Sequence, residues 1–232
     1  MTQAHLTPHW HAHADADHLA QAVTDRIVKL ADQALADHGA FHMVLAGGGT
    51  PKRIYQRLAA SACDWSGWHI YFGDERCLAP DHAERNSRMA AESWLDHVPI
   101  PPDQRHPMPA ERGAEEAAEA YSKVLDGLGD FDVVLLGLGE DGHTASLFPG
   151  QEWGTEPSAP DALAVHDAPK PPPDRVSLSA NRLSRAAEVI FLVSGEGKRE
   201  AVEIWCRDGS IPAAAVTPDG GAYVYHDLSG LD

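Results

Sequence analysis

The run FHMVLA (41–46) stops at GGGT and gives way to PKRIYQRLAA, so a strand, a glycine turn and a helix follow one another without a spare residue. The order recurs. WHIYFG (68–73) runs into the charged triplet Asp74-Glu75-Arg76, FDVVLLG (131–137) into a glycine-rich loop, and EVIFLVS (188–194) into GEGK and the helical stretch GKREAVEIWCR (197–207). Short buried strands alternating with helices imply an α/β fold, with a mostly parallel sheet covered by helices on both faces. Between Asp15 and His38, Leu19, Val23, Ile27, Leu30 and Ala34 recur three or four apart, which is one face of an amphipathic helix, and Gly39 sits where its C-terminal cap belongs. Thr50 is the expected N-cap of the second helix, with Pro51 at its first position. ERGAEEAAEAYSKVL (111–125) is helical by propensity, and VSLS (176–179) and AYVYHD (222–227) read as strands. The proline-rich stretch 151–175 reads as an extended surface loop inside one domain, residues 1–232, because strands resume after it.

Two glycine clusters compete as ligand sites. Gly137 to Gly142 fit G-x-G-x-x-G after an apolar run. A dinucleotide turn must also open a helix of several turns and meet an acidic residue about twenty positions on. Pro149 interrupts any such helix, and the proline-rich loop occupies the place of the acid-bearing strand, which rejects the nucleotide reading. AGGGTP (46–51) is better placed. It joins a strand to a helix, so the backbone N–H groups of Gly47, Gly48, Gly49 and Thr50 and the helix dipole would converge on an anion such as phosphate. It is not a Walker A loop.

Polar clusters stand at four strand ends: Gly47 to Thr50, Asp74 to Arg76, Asp141 to His143, and GEGK (195–198). In open parallel sheets ligands gather outside these ends. Of the fourteen histidines, His143 alone combines such a position with an adjacent acid in a glycine-flexed loop, as a general base oriented by Asp141 requires. WHAHADADH (10–18) has the composition of a metal site, but no second ligand group has fitting spacing, and a solvated lead-in is expected. There is no G-x-S-x-G, no H-E-x-x-H and no cysteine beside a histidine, so serine- and zinc-hydrolase mechanisms lack their parts.

The balance of 18 basic against 35 acidic residues gives a net charge of −17, which repels nucleic acid and anionic membranes. Many carboxylates and only five lysines also suit a salty cytoplasm. Cys63, Cys77 and Cys206 are far apart, and the opening residues have neither the basic start nor the apolar stretch of a signal peptide. Reduced thiols in the cytoplasm are expected. No apolar run approaches a membrane span.

VLAGGGTP, YFGDERCLAPDHAERNSRMA and FDVVLLGLGEDGHTASLFPG together resemble the 6-phosphogluconolactonase family, and the resemblance extends from the WHAHADADHLA lead-in to GEGKREAV. It implies a Rossmann-like three-layer fold, shared with glucosamine-6-phosphate deaminases and ribose-5-phosphate isomerases. It also implies hydrolysis of 6-phospho-D-glucono-1,5-lactone to 6-phosphogluconate, the second step of the pentose phosphate pathway, with no metal or organic cofactor. By the same resemblance His143 is the base supported by Asp141, Gly142 belongs to the substrate loop, and Gly47 to Thr50 cradle phosphate with Arg76 and Lys198. Asp74 and Asn86 would place sugar hydroxyls or a covering loop, and Arg175 is a further candidate for the phosphate side. A monomer or weak homo-oligomer is expected.

Two departures from the family pattern are visible. Arg85 precedes Asn86 where serine is usual, and Gly49 stands where serine is frequent in the glycine loop. The deaminase branch places a glutamate ahead of the proline, to assist ring opening. Phe148 occupies that place here and cannot relay a proton. A catalytically idle phosphosugar sensor on the same fold is the alternative of another class, and the intact Asp141-Gly142-His143 argues against it.

Overall fold

The computed structural model describes residues 8–207 and 209–231. The signal-peptide reading rests partly on residues 1–7, which lie outside those described. In chain order the elements are β1 (His9–Ala12), α1 (Ala16–His38), β2 (Phe41–Leu45), α2 (Gly49–Ala59), β3 (Trp68–Phe72), β4 (Asp74–Arg76), α3 (Asn86–Ser93) and α4 (Ala114–Val124). They continue with β5 (Phe131–Gly137), β6 (Ala162–Val165), β7 (Arg175–Leu178), α5 (Ala180–Ser184), β8 (Ala186–Val193), α6 (Arg199–Arg207) and β9 (Ala222–His226). Asp15 caps α1, its carboxylate accepting the N–H groups of Asp17 and His18, and Gly39 closes the helix in the left-handed region at φ 79°. The second helix begins earlier than expected. Gly48 (φ 108°) takes the cap position, and Thr50 and Pro51 lie inside the first turn.

The main sheet has the order β1-β9-β8-β5-β2-β3, with every neighbouring pair parallel. Helices cover both faces, as the parity of β8 demonstrates. Glu188 pairs with Arg26 of α1, whereas Phe191, three residues on and therefore on the other face, packs against Trp205 of α6 at 4.7 Å. From β2 the chain moves outward to β3, and from β5 it moves the other way to β8. The adjacent ends of β2 and β5 are thus the point where strand order reverses and a crevice opens.

Two expectations change. The lead-in is an edge strand: β1 pairs with β9, and His9, His11 and His13 stack on Tyr223 and Tyr225, which occupies the imidazole faces. Among the described residues no three histidine, cysteine, aspartate or glutamate side chains are grouped to hold a metal ion. The charged triplet and VSLS belong to a second, antiparallel sheet, β4-β7-β6, whose third strand lies inside the proline-rich stretch.

On β2 and β3, His42 stacks on His69, and His69 on His106, with centroids 4.8 and 5.9 Å apart. Burial lowers the pKa of all three rings. His69 and His106 add to this at His42, as His69 does at His106, while Asp132 and Asp103 oppose it. A group that the fold keeps neutral costs nothing above its ordinary value of 6.5 and costs stability below it, because the unfolded chain then binds protons that the native rings refuse. The urea midpoint is therefore expected to fall as pH drops from 6.5 toward 5, and to fall less in His69→Gln/His106→Gln. Parallel pH profiles for the two proteins would refute this.

Candidate active site

A cleft of about 420 Å³ opens at the crevice between the ends of β2 and β5. Its floor is the glycine loop and the β5 end, its far side is Ser194 and Lys198 after β8, and one wall comes from β4, β7 and the 166–174 hairpin.

His143 reaches the cleft on a loop that is bonded to itself. The Gly139 N–H donates to the His143 carbonyl at 2.7 Å, and Thr144 Oγ1 to the Gly137 carbonyl at 2.8 Å. Ala145 holds a left-handed φ of 47°, a conformation alanine adopts only when its surroundings impose it. His143 Nδ1 donates to Asp141 Oδ1 at 2.5 Å, which leaves Nε2 as the basic nitrogen. Burial pushes the Asp141 carboxyl up, but the hydrogen bond and charge of His143 outweigh it, so the group lies below its ordinary 3.8. Phe148 backs the imidazole, with ring centroids 4.9 Å apart.

Asp74 ties three loops together. One carboxylate oxygen accepts Asn86 Nδ2 at 3.0 Å and the other accepts Ser146 Oγ, from the histidine loop, at 2.6 Å. Asn86 lies directly beneath the glycine loop, where a Cβ on Gly47 would stand 2.1 Å from its Oδ1. Both residues are buried and spend these atoms on the scaffold, although both also line the cleft. Glu75, wholly buried, accepts the backbone N–H groups of Arg76, Asn86 and Ser87. The unusual Arg85 is its partner, with Nε at 3.1 Å from Glu75 Oε2 and further bonds to the carbonyls of Leu78 and Met108. Arg85 therefore fixes the entry to α3 from below.

Four cations line the cleft: Arg76, Lys170, Arg175 and Lys198. Arg76 and Arg175 are directly opposed across the β4–β7 ladder, an arrangement that favours an anion between them. Arg76 donates to the Glu84 carbonyl, and its buried Nε has no protein partner. Arg175 is 5% exposed and donates instead to the carbonyls of Lys170, Pro171 and Pro172. The Lys198 loop is clasped by residues following β9. Asp227 accepts Ser194 Oγ at 2.6 Å and the Gly195 N–H at 2.8 Å, while Glu196 accepts Ser229 and Arg199, which pulls its carboxyl down to about 2.

Of the residues singled out in the sequence, Gly47, Gly48, Gly49, Thr50, Asp74, Arg76, Asn86, His143, Arg175 and Lys198 line the cleft. Asp141 stands behind His143. Gly142 is absent from the lining: its φ of 84° and the Ile211 side chain, 2.6 Å from any added Cβ, make it a packing glycine. Lys170 and Ser194 escaped the sequence reading. The first was hidden in a proline-rich stretch that looked like surface, though a lone lysine among prolines was a usable signal.

A model of the family described as glucosamine-6-phosphate isomerases/6-phosphogluconolactonase matches residues 14–225. The 6-phosphogluconolactonase of Mycobacterium tuberculosis is 41% identical over 202 residues, covering 81% of each chain. That of Synechocystis is 38% identical over 216 residues, covering 85% of each. The crystal structure of the 6-phosphogluconolactonase from Thermotoga maritima superposes with a TM-score of 0.87 at 25% identity, covering 96% of this chain and all of that one. With its fold, its crevice and nearly its whole length matched, the chain belongs to the glucosamine-6-phosphate isomerase/6-phosphogluconolactonase family.

Proposed function

We propose that this chain hydrolyses 6-phospho-D-glucono-1,5-lactone to 6-phosphogluconate. The observation that carries the reading is the hydrogen-bonded Asp141–His143 pair at the sheet's reversal point, in a cleft whose other end is the N-terminus of α2. His143 Nε2 takes a proton from water as the oxygen attacks the lactone carbonyl carbon, while Asp141 holds Nδ1–H and offsets the imidazolium charge. The tetrahedral oxyanion then collapses. The bond from C1 to the ring oxygen breaks, and the proton on Nε2 passes to that oxygen as it leaves. The new carboxylic acid loses its proton to solvent.

The phosphate is assigned to the N–H groups of Gly48 to Thr50, with the Lys198 ammonium and the Arg76 guanidinium as charge-assisted donors. These cations oppose the repulsion of an anionic substrate by a chain of net charge −17. Among the described residues no helix is long and apolar enough to cross a membrane. The same reading takes the enzyme as cytoplasmic, a monomer or weak homo-oligomer, with its cysteines reduced.

The test is lactone hydrolysis with substrate generated in situ and the spontaneous rate subtracted. Unphosphorylated glucono-1,5-lactone serves as the comparison. Loss of two charge-assisted bonds, each worth about 1.5–3 kcal/mol, is expected to lower kcat/KM at least 10²-fold for the unphosphorylated compound. Wild-type protein that binds the phosphosugar yet leaves the spontaneous rate unchanged would instead be a sensor.

A further inference from the structure

We propose that Arg175 is a positioning residue that holds Lys170 over the cleft and seats the Phe148 ring against His143. The proposal rests on the lactonase reading above. The hairpin between β6 and β7 turns through Lys170-Pro171-Pro172-Pro173, and three successive prolines contribute no N–H of their own. The Ala168 N–H meets the Pro173 carbonyl at 3.0 Å, but the carbonyls of Lys170, Pro171 and Pro172 need an outside donor. Arg175 provides one, with Nη2 to Lys170 O at 2.8 Å and Pro171 O at 3.3 Å, and Nε to Pro172 O at 3.1 Å. A planar guanidinium reaches three consecutive carbonyls in this way, and an ammonium does not.

The same guanidinium lies 5.5 Å over the Phe148 ring, within cation–π range, and Phe148 in turn touches His143. The hairpin's base is fixed separately, by His166 bridging Asp174 at 2.8 Å and Glu115 of α4 at 3.1 Å. Arg175 thus links the hairpin tip to the catalytic imidazole. Lys170 projects from that tip with no side-chain partner among the described residues, so it and Arg76 are the cations of this wall that meet the ligand.

The experiment compares Arg175→Lys, Arg175→Gln, Lys170→Ala and Phe148→Leu, reading kcat and KM for the lactone and the NMR shift of the His143 Cε1 proton in the free enzyme. Lysine is expected to be no better than glutamine at position 175. Both should lower kcat on the order of tenfold and raise KM by the factor seen in Lys170→Ala. Adding Lys170→Ala to Arg175→Lys should raise KM no further. The His143 resonance should move in Arg175→Lys and Phe148→Leu and stay in Lys170→Ala. Near-normal kinetics in Arg175→Lys with a KM defect confined to Arg175→Gln would make Arg175 a direct phosphate ligand and overturn the proposal, as would KM effects that multiply. If the Arg175 variants do not fold, Phe148→Leu decides: a kcat and His143 resonance both unchanged would overturn it. Because the NMR comparison needs no turnover, an inactive wild type would refute the lactonase reading separately.

Discussion

His143→Ala is expected to lower kcat about 10²- to 10⁴-fold, the usual contribution of a positioned general base, with KM for the phosphosugar lactone nearly unchanged. The two parameters separate because the imidazole acts on water and the leaving ring oxygen, whereas binding is assigned to the glycine loop, Arg76 and Lys198. Asp141→Asn should fall between wild type and His143→Ala, since an amide can still occupy the space but can present its N–H to Nδ1 and reverse the tautomer. Asp141 should contribute no ionisation of its own to the pH–rate profile near neutrality. The group is held below its ordinary 3.8, so it is a carboxylate at neutral pH. Survival of fast turnover in His143→Ala would leave the activity in place and move the base to another group. Loss of phosphosugar binding in that variant would show that the histidine serves the ligand rather than the water.

Gly139→Ala should cost nearly as much without touching a reactive atom. A Cβ at this position would stand 2.0 Å from His143 Nδ1 and 2.5 Å from Asp141 Oδ1, distances no methyl group can occupy. The dyad must swing away, and a displacement near 1 Å is enough to lower kcat on the order of 10²-fold. Gly129, which precedes β5 and does not line the cleft, has nothing within 4 Å of an added Cβ, so Gly129→Ala is the control expected to retain most activity. Equal kcat for the two alanine variants would show that the close approach of loop and imidazole has no catalytic consequence.

The two glycines also show why some of this protein was readable from its sequence. β2, β5 and β8 announce themselves as apolar runs because strands at the centre of a covered sheet are buried on both faces, and β3, although it ends the sheet, is covered nearly as well. The histidine loop announces itself because an acid two residues before a histidine has few other uses at a strand end. The strands of the second sheet are three or four residues long, too short for any periodicity, and β4 was legible only as a charged triplet. β1 reads as solvated because its side chains are largely exposed and find their stacking partners on β9, at the other end of the chain. Thr50 looked like a cap because threonine beside proline usually is one. The backbone instead uses Gly48, whose φ of 108° suits no other residue. Arg85 read as a departure from the family pattern because its partner, Glu75, lies in a different element, and only the fold brings the two together.

The pairing of β1 with β9 sets an order of events during synthesis. The first described strand can find its place only after the last one has emerged, since Trp10 lies beside Val224 and has no other strand neighbour. Until then it must wait beside a growing sheet whose other edges are open. A strand made of His-Trp-His-Ala, with three of its four residues exposed in the finished fold, is poorly equipped to insert itself elsewhere. Its histidines acquire their stacking surface only when Tyr223 and Tyr225 arrive, so closing the sheet edge is the step that joins the two ends of the chain.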